Sequence, residues 1–288
     1  MTNPDGTERI FPTAEQDVAF SCQVTPTPQT LHPHYRLAFT DVDFMLREEL
    51  RPLRLQLELL KPEMVLQEFR IASTIVFYGS ARIPEPGAAG ARTAAAQTAR
   101  DQAVAANLAA KAKYYVEART LAARISSIVQ PVPDERHFVV TSGGGPSIME
   151  AANRGAADAG APSIGLNIVL EHEQAPNLFV TPALSFQFHY FAIRKMHFLM
   201  RARALCVFPG GFGTLDELFE VLTLIQTRKI KPIPVLLFGE AFWRRIVNFE
   251  ALAEEGVISY EDLSLFQFVE TADEAWAILS AALDLRLP

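Results

Sequence analysis

Cysteine is scarce in this chain of 288 residues, which has only Cys22 and Cys206. Two thiols so far apart form neither a disulfide framework nor a CxxC pair. Cys206 stands in the apolar run Ala204-Leu-Cys-Val-Phe208, where a buried, inert thiol is expected. Long apolar runs are also missing, since none approaches the ~18 residues of a membrane span. The opening Met1-Thr-Asn-Pro-Asp-Gly6 lacks a charged stretch leading into an apolar one, so no secretory signal is expected there. Positive charge is short too. Lys plus Arg number 26 against 33 Asp plus Glu, a formal net charge of −7. Binding to nucleic-acid backbones relies on clustered cations, so neither a nucleic-acid polymer nor a membrane is expected as a partner. Apolar residues make up 49% of the chain, which is ample for a large core. The expectation is a cytoplasmic protein of a reducing compartment. Any anionic ligand would need a local site working against the overall field.

Several common chemistries are absent as patterns. No GxGxxG dinucleotide fingerprint and no GxxxxGK[ST] phosphate loop occurs. The histidines and cysteines show no metal-ligand spacing, so no metal is expected. No Ser/His/Asp or Cys/His nucleophile arrangement is recognisable, nothing marks a lysine for a pyridoxal Schiff base, and no cofactor is called for.

Residues 1 to about 36 hold several prolines and little periodicity, which predicts an extended or poorly ordered arm. From Asp41 to Phe69, residues Phe44, Leu46, Leu50, Leu53, Leu57, Leu60, Met64 and Leu66 approximate a helical stripe. Pro52 and Pro62 are expected to kink or divide it. Beyond Ala72 the pattern changes to short apolar runs. Thr74–Tyr78, His137–Thr141, Ser163–Ile168, Leu205–Phe208 and Ile233–Phe238 suit strands buried on both faces of a parallel sheet. Helical stretches separate them, at Ala88–Val129, Ser147–Ala159, Phe191–Arg201, Leu215–Thr227, Glu240–Glu254 and Ala272–Leu285. The alternation predicts an α/β fold, a Rossmann-like doubly wound parallel sheet with an N-terminal helical extension. The expected organisation is an arm and helical extension over 1–71 and a nucleotide-binding catalytic domain over 72–288. A helical insertion is expected at about 87–111, Ala-rich and suited to surface or subunit packing.

Ligands of such a sheet bind past the carboxyl ends of the strands, and the glycine clusters fall there. Gly79-Ser80-Ala81-Arg82 ends one strand in a small-residue turn followed by a cation. Ser142-Gly143-Gly144-Gly145-Pro146-Ser147 and Pro209-Gly210-Gly211-Phe212-Gly213-Thr214 each lead into a helix. Glycines let a backbone approach a ligand closely, and a helix start offers free N–H groups and a positive dipole end. One such turn alone is weak evidence, but two together with an arginine turn favour a phosphate-bearing ligand. Thr214-Leu-Asp-Glu217 admits two readings. Thr214 at the N-cap with Glu217 three residues on would be a capping box, with Asp216 a favoured first-turn acid. Otherwise Glu217 is catalytic. The basic face of Arg194, Lys195, Arg201 and Arg203 is ordinarily a solvated surface, yet it runs directly into the strand that delivers the second glycine turn.

The run PGGFGTLDE, Pro209–Glu217, resembles the PGGxGTxxE signature of the LOG ("lonely guy") family. These are cytokinin riboside 5′-monophosphate phosphoribohydrolases and related nucleoside-monophosphate nucleosidases, often mislabelled lysine decarboxylases. Arg194-Lys195 matches the family's RK pair. Thr141–Ala156 resembles its glycine-rich phosphate segment, and Gly79–Arg82 its first-strand turn. The resemblance spans about residues 72–285 and implies a Rossmann-like homodimer or higher homo-oligomer. Such a protein cleaves the N-glycosidic bond of a purine nucleoside 5′-monophosphate, AMP or an N6-modified AMP, to free base and ribose 5-phosphate. By motif position it makes Arg194 and Glu217 catalytic. It puts the phosphate and substrate on Gly79, Ser80, Arg82, Gly143, Gly144, Gly145, Lys195, Gly210, Gly211, Gly213 and Thr214. The helix start beside Glu217 is expected to favour its ionised form. Phe212 stands where the family often has tyrosine. A nucleotide carrier without hydrolysis is the alternative on the same fold.

Overall fold

The computed structural model describes residues 11–88, 98–171 and 175–288. The expectations for Met1–Gly6 and for residues 89–97 of the insertion fall outside them. The chain forms two compact units, residues 1–57 and 58–288.

In the first unit the arm is not simply extended. Helix α1 (Ala14–Ser21) forms because the Thr13 hydroxyl accepts from the Gln16 N–H while the Gln16 side chain accepts from the Thr13 N–H. This reciprocal capping satisfies donors that a helix start otherwise leaves open. A short helix, α2 (Val42–Met45), follows, capped by Asp41. Helix α3 then runs unbroken over Arg51–Glu68, its residues from Glu58 on belonging to the second unit, against the expected division. Pro52 sits in its first turn, where the missing N–H would have had no intrahelical partner. Pro62 lies inside the helix and is buried.

The second unit is built on a seven-stranded sheet, parallel throughout. The strands are β1 (Thr74–Tyr78), β2 (Val139–Ser142), β3 (Ser163–Ile168), β4 (Ser185–Phe188), β5 (Ala202–Val207), β6 (Val235–Phe238) and β7 (Gln267–Val269). Their order in space is β4-β3-β2-β1-β5-β6-β7. Side chains alternate between two cores. Ile75, Phe77, Cys206 and Phe238 point to one face; Val76, Tyr78, Val207 and Leu237 point to the other. This two-sided burial explains the near-continuous apolar runs. Burial also pushes the Cys206 thiol well above its ordinary pKa, which keeps it protonated and unreactive.

Helices α4 (Ala99–Ala109), α5 (Lys113–Ser126) and α6 (Ile148–Asp158) follow β1 and β2 in sequence. Residues of α5, α6 and the terminal α11 (Ala272–Leu283) fill the first core. Helices α7 (Phe191–Met200), α8 (Phe212–Gln226), α9 (Glu240–Ile246) and α10 (Phe249–Glu254) supply Phe198, Leu218, Val221, Trp243 and Phe249 to the second. After β1 the strand order runs outward on one side through β2, β3 and β4, and after β5 on the other. The switch point therefore lies between β1 and β5, and a crevice opens beyond their carboxyl ends.

Candidate active site

That crevice holds a cavity of about 760 Å³. The turn after β1 brings Gly79, Ser80 and Arg82 to its wall, and the turn after β5 brings Gly210, Gly211, Gly213 and Thr214. The two turns are tied together: Ser80 N–H donates to the Pro209 carbonyl at 3.1 Å, and Phe208 N–H to the Tyr78 carbonyl at 2.8 Å. Gly143, Arg194 and Glu217 complete the set of expected residues on this wall.

Three expected residues do not line the cavity. Gly144 and Gly145 have carbonyls bound to Asn177, whose Nδ2 donates to them at 3.1 and 3.0 Å. Gly144 also sits at φ +73°, and a side chain there would collide with Asn167 Oδ1. Lys195 turns away along α7. Its ammonium lies 2.8 Å from Asp216 and 3.4 Å from Glu220. Burial works against that charge, but the two carboxylates outweigh it and hold the Lys195 pKa above its usual value.

The helix carrying Glu217 begins earlier than the capping reading required. Gly211 is the N-cap, without a side-chain cap, and α8 starts at Phe212. Thr214 is therefore inside the first turn and Glu217 lies beyond it, so the capping box is not formed. The glycine turn itself closes onto the helix.

Arg194 and Glu217 face one another at 3.8 Å, with 11% and 14% of their side chains exposed. Arg194 is oriented by its Nε, which donates to the Leu166 carbonyl at 2.7 Å. Beta2 ends at Ser142, opposite Gly165 in β3, so past that point the β2 side of β3 is open to Arg194. The guanidinium also lies over the Phe198 ring at 5.2 Å, a favourable cation–π placement. Gly143 leaves it room, since a Cβ there would come within 2.7 Å of an Arg194 terminal nitrogen.

Glu217 does not follow the helix-dipole expectation. Burial pushes its pKa up to about 7, and the opposing pull of Arg194 is the smaller effect. The dipole fades within the first turn, which Glu217 has already left. Burial therefore decides, and it sets a carboxyl that both gains and loses its proton near neutrality. Tyr78, buried beneath, has its hydroxyl held protonated by burial and by the Glu217 charge.

Of the remaining wall residues, only Phe212 was singled out from the sequence. Ile168, Leu170, Phe191, Phe212, Phe242 and Ile246 make an apolar side, and Asn167 adds a polar group. Asn167 left one readable sign, a lone amide within the apolar run Ser163–Ile168. Among the described residues no group of three or more His, Cys, Asp or Glu is arranged to hold a metal. Among them, too, no helix is long and apolar enough to cross a membrane.

The fold is a Rossmann-like α/β fold with a cavity at the sheet's switch point. A family model described as "Possible lysine decarboxylase" matches residues 149–279. With the four motif segments in order, this match fits the LOG family, a phosphoribohydrolase-like, nucleotide-binding family. Similar solved structures include the X-ray structure of TM1055, 17% identical, covering 73% of this chain and 99% of its own, with a TM-score of 0.44. Another is the Moco carrier protein from Chlamydomonas reinhardtii, 17% identical, covering 74% of this chain and 98% of its own, with a TM-score of 0.39. No curated protein matches the chain.

Proposed function

We propose that the cavity binds a purine nucleoside 5′-monophosphate, AMP or an N6-modified AMP, and that the chain hydrolyses its N-glycosidic bond. The observation that carries this reading is the largely buried Arg194–Glu217 pair at 3.8 Å, on the same cavity wall as the two glycine turns.

The phosphate is assigned to the start of α8. Backbone N–H groups of Gly211, Phe212 and Gly213 and the hydroxyls of Ser80 and Thr214 offer donors to an acceptor-only anion, with Arg82 adding charge. The apolar side made by Ile168, Leu170, Phe212 and Phe242 suits the flat face of a purine. Between them the sugar meets Arg194 and Glu217. As the bond from C1′ to the base nitrogen breaks, the base leaves with the electron pair and takes up a proton, and positive charge develops on the ribose. The Glu217 carboxylate stabilises that charge and accepts a proton from the water that attacks C1′. Arg194 holds a substrate oxygen and fixes the geometry. The products are free base and ribose 5-phosphate.

The test is incubation with AMP, GMP, CMP and N6-prenylated AMP, followed by assay of free base and ribose 5-phosphate. A purine monophosphate is expected to be cleaved, and Glu217→Gln to lower kcat by about 10²–10⁴-fold while nucleotide binding persists. Binding without cleavage by the unaltered protein would replace this reading with that of a nucleotide carrier. Full activity in Glu217→Gln would remove Glu217 from the chemistry.

A further inference from the structure

We infer that Asn167 determines sugar specificity: its carboxamide takes a hydroxyl of a ribose, so that the site prefers ribonucleotides to deoxyribonucleotides. The inference rests on the nucleoside-monophosphate reading of the cavity.

Four buried side-chain polar atoms are without a hydrogen-bond partner among the described residues: Thr74 Oγ1, Asn167 Oδ1, Tyr190 Oη and His197 Nδ1. Only the Asn167 residue lines the cavity. Native interiors rarely leave such an acceptor unmatched, and each exception calls for a reason. Here the fold goes out of its way to accommodate it. Gly144 adopts φ +73°, and the space its missing side chain would fill is taken by the Asn167 carboxamide, 2.1 Å from where a Cβ would stand. The neighbouring Gly143 likewise makes room for the Arg194 guanidinium. Consecutive glycines of one turn thus hold the arginine of the proposed catalytic pair and the unmatched amide side by side. Leu166, the residue before Asn167, accepts the Arg194 Nε hydrogen bond through its carbonyl.

The missing partner is a donor, because Oδ1 is an acceptor; Oδ1 is packed against Gly144 without open surface of its own, so the carboxamide turns toward the cavity to meet that donor. Phosphate oxygens cannot supply one when ionised. The groups of the ligand nearest to Arg194 and Glu217 are those of the sugar, on which that pair acts. A sugar hydroxyl both donates and accepts, which complements a carboxamide at either end.

The experiment measures kcat/KM and Kd for AMP, 2′-deoxy-AMP and 3′-deoxy-AMP with the unaltered protein, Asn167→Ala and Asn167→Ser. The glycosidic bonds of these compounds differ in intrinsic lability, so the decisive quantity is how the AMP-to-deoxy ratio changes between proteins. The unaltered protein is expected to favour AMP over at least one deoxy compound, and Asn167→Ala to shrink that ratio about ten- to a hundredfold. The shrinkage should come from poorer handling of AMP, with the deoxy compound little changed. Asn167→Ser, which keeps a small polar group, gives a folded comparison if the alanine variant aggregates and is expected to fall between. A ratio that Asn167→Ala and Asn167→Ser leave unchanged overturns the inference, even if AMP is cleaved. If nothing is cleaved but AMP binding shows the ratio and its loss, hydrolysis fails and the inference stands. If no nucleotide binds, both fail.

Discussion

His197 Nε2 donates a 3.1 Å hydrogen bond to the main-chain carbonyl of Glu58. In an unbroken helix that carbonyl would accept from the N–H four residues on, but the residue there is Pro62, which has none. The imidazole from α7 therefore replaces the bond that the proline removes from α3. The Glu58 carboxylate returns the favour by accepting from the N–H groups of His189 and Tyr190, at 2.8 and 3.1 Å, where α7 begins. The helix that carries Arg194 is consequently fixed at its start by α3.

This exchange predicts an energetic coupling between Pro62 and His197. His197→Leu should destabilise the protein by about 1–3 kcal/mol, because it strands a carbonyl acceptor. In a Pro62→Ala background the helix can supply its own donor, so the same substitution should be less damaging. Urea unfolding of the four proteins measures the difference, and an equal loss in both backgrounds would break the argument. A pH effect follows as well. Burial holds the His197 pKa below its usual value, so the unfolded chain takes up this proton first as pH falls through about 6.5. His197 thus subtracts stability on acidification, and His197→Leu should flatten that decline.

A second prediction concerns Glu217, whose pKa of about 7 lies well above its ordinary value of 4.5. If the carboxylate is the working form, kcat/KM rises with pH through an apparent pKa near 7. A decline over the same range would instead mark the protonated acid as the working form and reverse the assigned role. The stability effect runs oppositely to that of His197. The folded state holds the Glu217 proton more tightly, so its stabilising contribution is complete below pH 4.5 and is lost as pH rises through 7. Relative to the unaltered protein, Glu217→Gln should gain stability between pH 5 and 8, by at most about 3 kcal/mol. Unfolding midpoints across that range provide the check.

The parts of this architecture that were readable in the sequence are those set by local chemistry. Strands β1, β3 and β6 are buried on both faces and therefore write continuous apolar runs. Edge strands do not: β4 buries Phe186 and Phe188 but turns Gln187 outward, and four residues are too few to display a period of two. The glycine turns were likewise visible, because a turn is a local event, and together with the motif positions Arg194 and Glu217 they marked ten residues that do meet at one cavity. Asn167, Phe242 and Ile246 reach that cavity only through the way strands and helices are arranged. The reading of Thr214 and Glu217 as a capping box failed for a subtler reason. Capping patterns assume where the helix begins, and the Gly211 turn starts α8 ahead of Thr214. Pro62 was misjudged because its compensation, His197, comes from a distant helix.

The neighbours of Glu217 supply the last prediction. Lys195 lowers the Glu217 pKa and Asp216 raises it, while Lys195 and Asp216 pair with each other at 2.8 Å outside the cavity lining. Neither side chain is needed to touch the nucleotide, so each should act on the chemistry only through the charge it places near the carboxylate. Lys195→Met removes a positive charge and should move the acid limb of the kcat/KM profile to higher pH. Asp216→Asn removes a negative charge and should move it to lower pH. The two sites are partly exposed, which screens both effects, and each shift should stay under about one pH unit. Activity on the plateau above the limb should change little in either variant. A large plateau loss in Lys195→Met with an unmoved limb would mean instead that this lysine reaches the substrate, as the RK motif implies. Shifts of the same sign in both variants would show that the Glu217 proton is controlled by something other than this pair of charges.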